Sequence, residues 1–99
     1  MPPICDRRFL TGQYQGIYTV AIKAVPRHKT LDIIIRDDDG IQYSVVRKNN
    51  IPVHEYHARP GEERHFLSIT TWVLPHDVVT VESKDIYAAQ TKGRIKFYK

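Results

Sequence analysis

Residues 30–46 read TLDIIIRDDDGIQYSVV, and the expected fold is organised around this stretch. Two apolar, β-branched runs flank the DDDG of residues 37–40, a composition typical of the turn of a β-hairpin. A three-residue loop, 38–40, pairs Ile35 with Tyr43, whereas a two-residue loop mixes apolar and polar residues on both faces. The longer loop also places its glycine where a type I turn followed by a bulge needs a left-handed residue. The sequence therefore predicts a hairpin with one apolar face.

The preceding run, GIYTVAIKAV at residues 16–25, fits the same scheme. If residues 26–29 form a loop, this run pairs with the first arm of the hairpin and shares its apolar face. The two loops agree on one set of inward residues, which predicts a three-stranded antiparallel meander. The expected inward residues are Tyr18, Val20, Ile22, Leu31, Ile33, Ile35, Tyr43 and Val45.

Downstream of the meander, the sequence predicts a second hairpin, one short helix and a final strand. Residues 65–74, HFLSITTWVL, have some helical spacing, but their β-branched run favours a strand. Residues 78–82, VVTVE, are its expected partner in the hairpin. Ser83 resembles a helix N-cap, which predicts a helix over 84–92 that stops at the next glycine. Residues 94–99, RIKFYK, alternate as a strand does.

The predicted fold class is α+β and β-rich, with a twisted sheet or a partly open barrel. Residues 1–15 show no period and are expected to form an N-terminal arm, and residues 16–99 a single globular domain. A chain of 99 residues buries roughly 60–70% of its unfolded surface, enough for one modest core. Cys5 is the single cysteine, which excludes an internal disulfide framework. No membrane-spanning run or signal-peptide pattern occurs, so we expect an intracellular, cytoplasmic protein.

The formal net charge is +4, which permits a polyanionic partner without requiring one. The meander would place two basic segments, 27–29 and 47–48, at one end of the sheet and the aspartates at the other. Convergent Arg and Lys side chains beside Asn are typical of phosphate-binding surfaces, although solvated turns have the same composition. The final strand adds a second basic stripe. The candidate nucleic-acid contacts are Arg27, Lys29, Arg47, Lys48, Arg94 and Lys96.

Two other functions stay open. One is a protein–protein or homodimer module that pairs through edge strands, with residues 51–56, IPVHEY, and 94–99 as candidates. The other is a small metalloenzyme, since imidazoles with a carboxylate suit zinc or iron. On a strand, however, His54 and His57 would point to opposite faces, and no fixed ligand motif occurs. The histidines considered for this site are His54, His57, His65 and His76.

No catalytic signature identifies an enzyme. No serine lies in a G-x-S-x-G context, no glycine-rich phosphate loop occurs, and the Asp triplet lacks the ligand spacing of a calcium loop. Aromatic residues among basic ones on a sheet face would suggest base stacking, but Tyr18 and Tyr43 are expected on the apolar face. The sequence therefore predicts a small, non-enzymatic, basic binding module without a metal or cofactor, which contacts nucleic-acid phosphates.

Overall fold

Seven antiparallel strands form one sheet that curls into a half-barrel. The computed structural model describes residues 3, 5–11, 17–22, 29–87 and 89–98. Its strands are β1 (Cys5–Leu10), β2 (Ile17–Ala21), β3 (Lys29–Lys48), β4 (Ile51–His57), β5 (Arg64–Val73), β6 (Val78–Asp85) and β7 (Lys92–Tyr98). The described residues contain no helix, and therefore none that is long and apolar enough to cross a membrane.

The sheet is built around β3, which runs for 20 residues. A straight strand of that length would measure about 66 Å, yet the longest dimension of the molecule is 42 Å. β3 must therefore bend, and it bends at residues 37–40, which oppose only His65 of β5. Such an insertion is a β-bulge, which sharpens the local twist. Asp37 supports it by accepting the backbone N–H of Asp39 at 2.9 Å, and Gly40 has a φ of 107°.

The hairpin predicted at residues 37–40 is wrong. The two halves of β3 do not pair with each other: residues 29–36 lie between β5 and β7, and residues 41–48 lie between β4 and β6. The three-stranded meander is wrong for the same reason, because β2 pairs with β6 and not with β3. The DDDG stretch bends the chain as its composition indicates, but strands that are distant in sequence supply the partners.

The bend folds the sheet into two layers that face each other. Val73 at the end of β5 pairs with Lys29, and β6 begins beside Lys48 after only four more residues. The two ends of β3 are therefore close in space. We call β1, β7, the first half of β3 and β5 the first layer, and β2, β6, the second half of β3 and β4 the second layer.

The core lies between the two layers. In β6, β7 and the first half of β3 buried residues alternate with more exposed ones, and Leu31, Ile33 and Ile35 of β3 are fully buried. The other apolar core residues are Phe9, Val20, Ile22, Ile41, Val46, Leu67, Ile69, Val73, Val79, Val81, Ile95 and Phe97, whereas Val45 is buried but lies outside this cluster. Most residues of the predicted inward set are therefore buried, although the pairing that suggested them is not the one that forms. Residues 23–28 of the predicted first strand and loop lie outside the described residues.

The second predicted hairpin and the helix are also wrong. Residues 64–73 do form a strand, but β5 and β6 pair with different halves of β3 rather than with each other. The helix predicted over 84–92 is absent because β6 continues to Asp85. Ser83 is buried and donates to the carbonyl oxygen of Tyr43, so it belongs to the sheet and caps nothing. Asp85 then turns the chain by accepting the N–H groups two and four residues later.

Part of the predicted N-terminal arm is a strand. β1 pairs with β7 over its whole length, and its Phe9 is buried. The Phe9 ring lies against Gly93 and stacks on Tyr18 of β2, with ring centroids 4.5 Å apart and an interplanar angle of 15°. β1 therefore closes the first layer against the second at this side of the molecule.

Candidate functional site

The outward side chains of the first layer form a surface that we call the basic face. Buried residues alternate with exposed ones in β3 and β7, so every second side chain points away from the core. The strand register aligns Arg8, Arg94 and Ile34 in one row across the layer. The charged members of the face are five cations and two carboxylates: Arg8, Arg36, Lys92, Arg94, Lys96, Asp6 and Asp32.

A groove of about 570 Å³ crosses the basic face. Its lining includes the apolar side chains of Leu10 and Ile34 together with four cationic side chains. These cations are Arg8, Arg36, Lys92 and Arg94. Apolar side chains interspersed with guanidinium and ammonium groups suit a ligand that has both an anionic part and a flat or apolar part.

The cations of the basic face differ in how far they are neutralised. Arg94 makes two contacts with Asp6, at 3.2 Å from Nε and 2.5 Å from Nη2. Asp32 accepts a hydrogen bond of 2.8 Å from Thr70. Among the described residues, Arg8 and Lys92 have no carboxylate within 4.0 Å. The groove therefore has cations that an external anion can pair with without displacing an internal partner.

An exposed aromatic side chain borders the groove. Phe66 of β5 lies in the same row as Arg36 and Lys92, and it is 48% exposed. The guanidinium carbon of Arg36 lies 5.5 Å from the centre of the Phe66 ring, within the range of a cation–π contact. The basic face thus combines aromatic and cationic groups, and its aromatic residue is Phe66 rather than Tyr18 or Tyr43.

Four of the candidate residues, Arg27, Lys29, Arg47 and Lys48, were expected to form one basic end of the sheet. Arg27 lies outside the described residues. Lys29 pairs with Val73, and the Lys48 ammonium donates to the carbonyl oxygen of Trp72 at 2.9 Å, so both lie at the same end of β5. Arg47 is engaged elsewhere, since its guanidinium donates to a carboxylate oxygen of Glu82 at 2.9 Å.

The two remaining candidates, Arg94 and Lys96, both lie on the basic face. Their spacing of two residues in β7 is the signal that identified them, and the same spacing includes Lys92. Arg8 and Arg36 were not among the candidate contacts. Arg8 and Arg36 lie beside the β7 cations because β1 and β3 are the neighbours of β7 in the sheet. The strand pairing predicted from the sequence was wrong and did not bring these residues together.

A hydrogen-bonded network occupies the outer surface of the second layer. Glu82 accepts from Arg47 and, at 2.9 Å, from the Tyr43 hydroxyl. Burial tends to raise the pKa of Glu82, but these hydrogen bonds outweigh it and hold the pKa below its ordinary value. Burial, together with the hydrogen bond to Glu82, raises the pKa of Tyr43. The network is therefore a structural anchor and does not leave Arg47 available to a ligand.

Replacing Glu82 by glutamine is expected to lower the free energy of unfolding at pH 7 by about 1 kcal/mol, because a half-buried, charge-assisted pair is lost. A lowered pKa means that the stabilisation is complete above the ordinary value of 4.5 and disappears as the pH falls through the folded-state value. The difference between Glu82→Gln and the parent protein should therefore shrink below pH 4.5. Urea unfolding at a series of pH values measures it.

The control for this prediction is Glu55→Gln. Glu55 and His57 are both more than half exposed and lie 3.9 Å apart, so their pairing is expected to contribute little. A stability difference for Glu82→Gln that is no larger than that of Glu55→Gln, or that grows on acidification, would contradict the network.

The structure separates the histidines that were considered for a metal site. His54 faces inward from β4, whereas the His57 ring lies 6.1 Å from that of Tyr43 on the outer side. His65 contacts the carbonyl oxygen of Asp37 through Nδ1 at 3.0 Å, and His76 lies in the turn before β6 with a φ of 71°. In the described part of the chain, no three of these histidines converge.

Three carboxylates do lie close together at the bend of β3. The ligand atoms of Asp37, Asp39 and Asp85 are within 4.8 Å of one another. Burial raises the pKa of Asp37, and the neighbouring carboxylates of Asp85 and Asp39 raise it further. The Asp37 and Asp85 carboxylates already accept backbone N–H groups of the two local turns. The cluster is therefore accounted for by turn formation.

Comparison with known protein families, curated proteins and solved structures finds no match for this chain. The function is therefore argued from the basic face and its groove alone.

Proposed function

We propose that this chain is a small binding module for single-stranded nucleic acid, which it holds on the basic face of the first layer. The observation that carries the proposal is the groove, where Arg8, Arg36 and Lys92 lie among apolar side chains, with the exposed ring of Phe66 in the row of Arg36 and Lys92. Cationic grooves that follow the backbone, combined with aromatic side chains on which bases stack, are the usual means of binding single strands.

The proposal favours a single strand over a duplex because the groove offers more than charge. In a duplex the flat faces of the bases are stacked and inaccessible, so Phe66 and the apolar side chains of the groove would have no base face to contact. An unpaired base exposes its flat face, while its phosphates reach the cations at the rim. The proposed binding surface is therefore the basic face of the sheet and not the basic segments at the ends of β3.

Two triple variants with the same loss of charge distinguish these two surfaces. The groove variant is Arg8→Gln/Arg36→Gln/Lys92→Gln, and the comparison variant is Arg27→Gln/Lys29→Gln/Lys48→Gln. We expect the groove variant to bind a labelled single strand of about 12 nucleotides at least tenfold more weakly, and the comparison variant to change much less. Fluorescence anisotropy at several salt concentrations should show the groove variant's log–log salt slope reduced by about 2.

The variant Phe66→Leu separates stacking from charge. It removes the aromatic ring but retains an apolar side chain, so affinity for the single strand should fall about tenfold with the salt slope unchanged. The affinity for a duplex of the same sequence should not change in this variant. Equal affinity of the parent protein and the groove variant for the single strand would rule out the proposed surface.

A further inference from the structure

Three cations of the groove lie together in a compact group that we call the cation cluster: Arg8, Lys92 and Arg94. Arg8 and Arg94 are register partners on β1 and β7, and Lys92 lies on the same face, two residues before Arg94. Side chains of register partners leave a sheet about 5 Å apart, and those two residues apart on one strand leave it about 7 Å apart. All three line the groove. Their charged ends can therefore reach the same small anion.

One carboxylate contacts the cation cluster, and the cluster keeps a positive surplus. Asp6 accepts from Nε and Nη2 of Arg94, which orients the guanidinium and leaves Nη1 without a partner among the described residues. In the same part of the chain, Arg8 and Lys92 have no carboxylate within 4.0 Å. Three cations against one carboxylate leave a surplus of two positive charges. A phosphate diester carries one negative charge, whereas a phosphate monoester carries about −1.5 to −2 at pH 7.

Carboxylates limit the cationic surface on one side of the cluster. Lys96 is the next outward residue of β7, and its register partners are Asp6 on β1 and Asp32 on β3. A second phosphate beside Lys96 would therefore lie between two carboxylates, and like charges repel. A phosphodiester chain that followed β7 would meet this repulsion, whereas the end of a chain would not. The surplus charge is thus concentrated at a single phosphate position.

The exposed aromatic ring lies about one nucleotide away from that position. Arg36 on β3 and Phe66 on β5 follow Lys92 in the same row. Two strand spacings, about 10 Å in all, separate Lys92 from Phe66. A nucleotide can cover this distance between its phosphate and its base. The last nucleotide of a strand can therefore place its phosphate on the cation cluster and its base against Phe66.

We propose that the groove recognises the end of a single strand and that the group it takes is a terminal phosphate monoester. The inference rests on the proposed function and narrows its ligand from any single strand to one with a phosphorylated end. Guanidinium groups bind phosphate through paired hydrogen bonds, and the extra charge of the monoester strengthens them. The 5′ and 3′ ends of a strand offer the same phosphate chemistry, and the experiment distinguishes them.

Competition against a labelled single strand, followed by fluorescence anisotropy, tests the inference. The competitors are unlabelled strands of one sequence and about six nucleotides, which carry a 5′-phosphate, a 3′-phosphate or hydroxyls at both ends. We expect a phosphate at one end to lower the concentration needed for half-displacement at least about tenfold relative to hydroxyl ends. The methyl ester of that phosphate has a single charge, as a diester does, and should lose most of the gain.

Two variants test whether the cation cluster holds the phosphate. Arg8→Gln and Lys96→Gln each remove one positive charge from the basic face, the first inside the cluster and the second outside it. Arg8→Gln should reduce the preference for the phosphorylated end by about threefold or more. Lys96→Gln should leave this preference unchanged, even if it weakens the binding of both strands.

Equal competition by phosphorylated and hydroxyl-ended strands would overturn the inference and leave the proposed function standing. A methyl ester that keeps the full gain would overturn it as well, because a diester would then be sufficient. A preference that falls as much in Lys96→Gln as in Arg8→Gln would show that the cation cluster does not hold the phosphate. If the parent protein binds no single strand at all, with or without a terminal phosphate, the proposed function fails together with the inference.

Discussion

Replacing Gly40 by alanine is expected to lower the free energy of unfolding by about 2–4 kcal/mol. Gly40 has a φ of 107°, a region of backbone conformation that residues with a Cβ strongly avoid. A Cβ built there would lie 2.9 Å from the Cβ of Glu63. That atom is the root of its side chain and cannot swing away, so the backbone of the bend or of the loop before β5 has to move.

Gly61→Ala is the matched control for this variant. Gly61 also has a positive φ, of 81°, but an added Cβ would meet nothing within 4 Å. The two substitutions restrict the unfolded chain equally, so their difference reflects the close approach at the bend of β3 and the larger φ of Gly40. We expect Gly61→Ala to cost only about 1 kcal/mol. Urea unfolding with unchanged m-values measures both, and equal costs would mean that the bend does not depend on Gly40.

The bend also shows which part of the fold the sequence could predict. Alternation along a strand is local, and it correctly marked Leu31, Ile33 and Ile35 as inward residues. The DDDG stretch bends β3, but it does not form the predicted hairpin turn. Strand pairing is not local: residues 29–36 pair with β5 and β7, which begin at Arg64 and Lys92. A hairpin would pair two neighbouring segments of the chain, whereas in this fold residues 29–36 pair with strands that are distant in sequence.

The helix prediction failed through a similar competition. Ser83 followed by residues 84–92 has the composition of a capped helix, but its apolar residues do not form a sustained helical stripe. Ile86 and Tyr87, two of the apolar residues of this segment, are 40% and 73% exposed. Extending β6 to Asp85 instead adds pairs with the second half of β3. The sequence signal for a helix was weak, and the pairing of β6 with β3 kept residues up to Asp85 in the sheet.

The candidate site was predictable only where its signal lies within one strand. Arg94 and Lys96 follow from their alternation in β7, whereas Arg8 and Arg36 join them only through the pairing of three strands. Arg47 illustrates the opposite error. Its position beside other basic residues suggested a phosphate contact, but Glu82, 35 residues away, engages its guanidinium.

Replacing Gly93 by alanine is expected to destabilise the protein by about 3 kcal/mol, at the upper end of the range for overpacking. An added Cβ would overlap three atoms at the far end of the Phe9 ring. Phe9 is only 6% exposed and stacks on Tyr18, so it has no free space into which to retreat. The ring has to leave its place, and the contact that joins β1 to the second layer is lost with it.

A double-mutant cycle with Phe9→Leu tests this explanation against a general intolerance of β7 to alanine. Leucine lacks the outer ring atoms that an added Cβ at Gly93 would meet, so Gly93→Ala should cost less than about 1 kcal/mol in the Phe9→Leu background. The coupling free energy between the two positions is then about 2 kcal/mol, a value typical of residues in direct contact. An equal cost of Gly93→Ala in both backgrounds would mean that the absence of a side chain at Gly93 does not serve to make room for Phe9. The position of β1 would then depend only on its backbone pairing with β7.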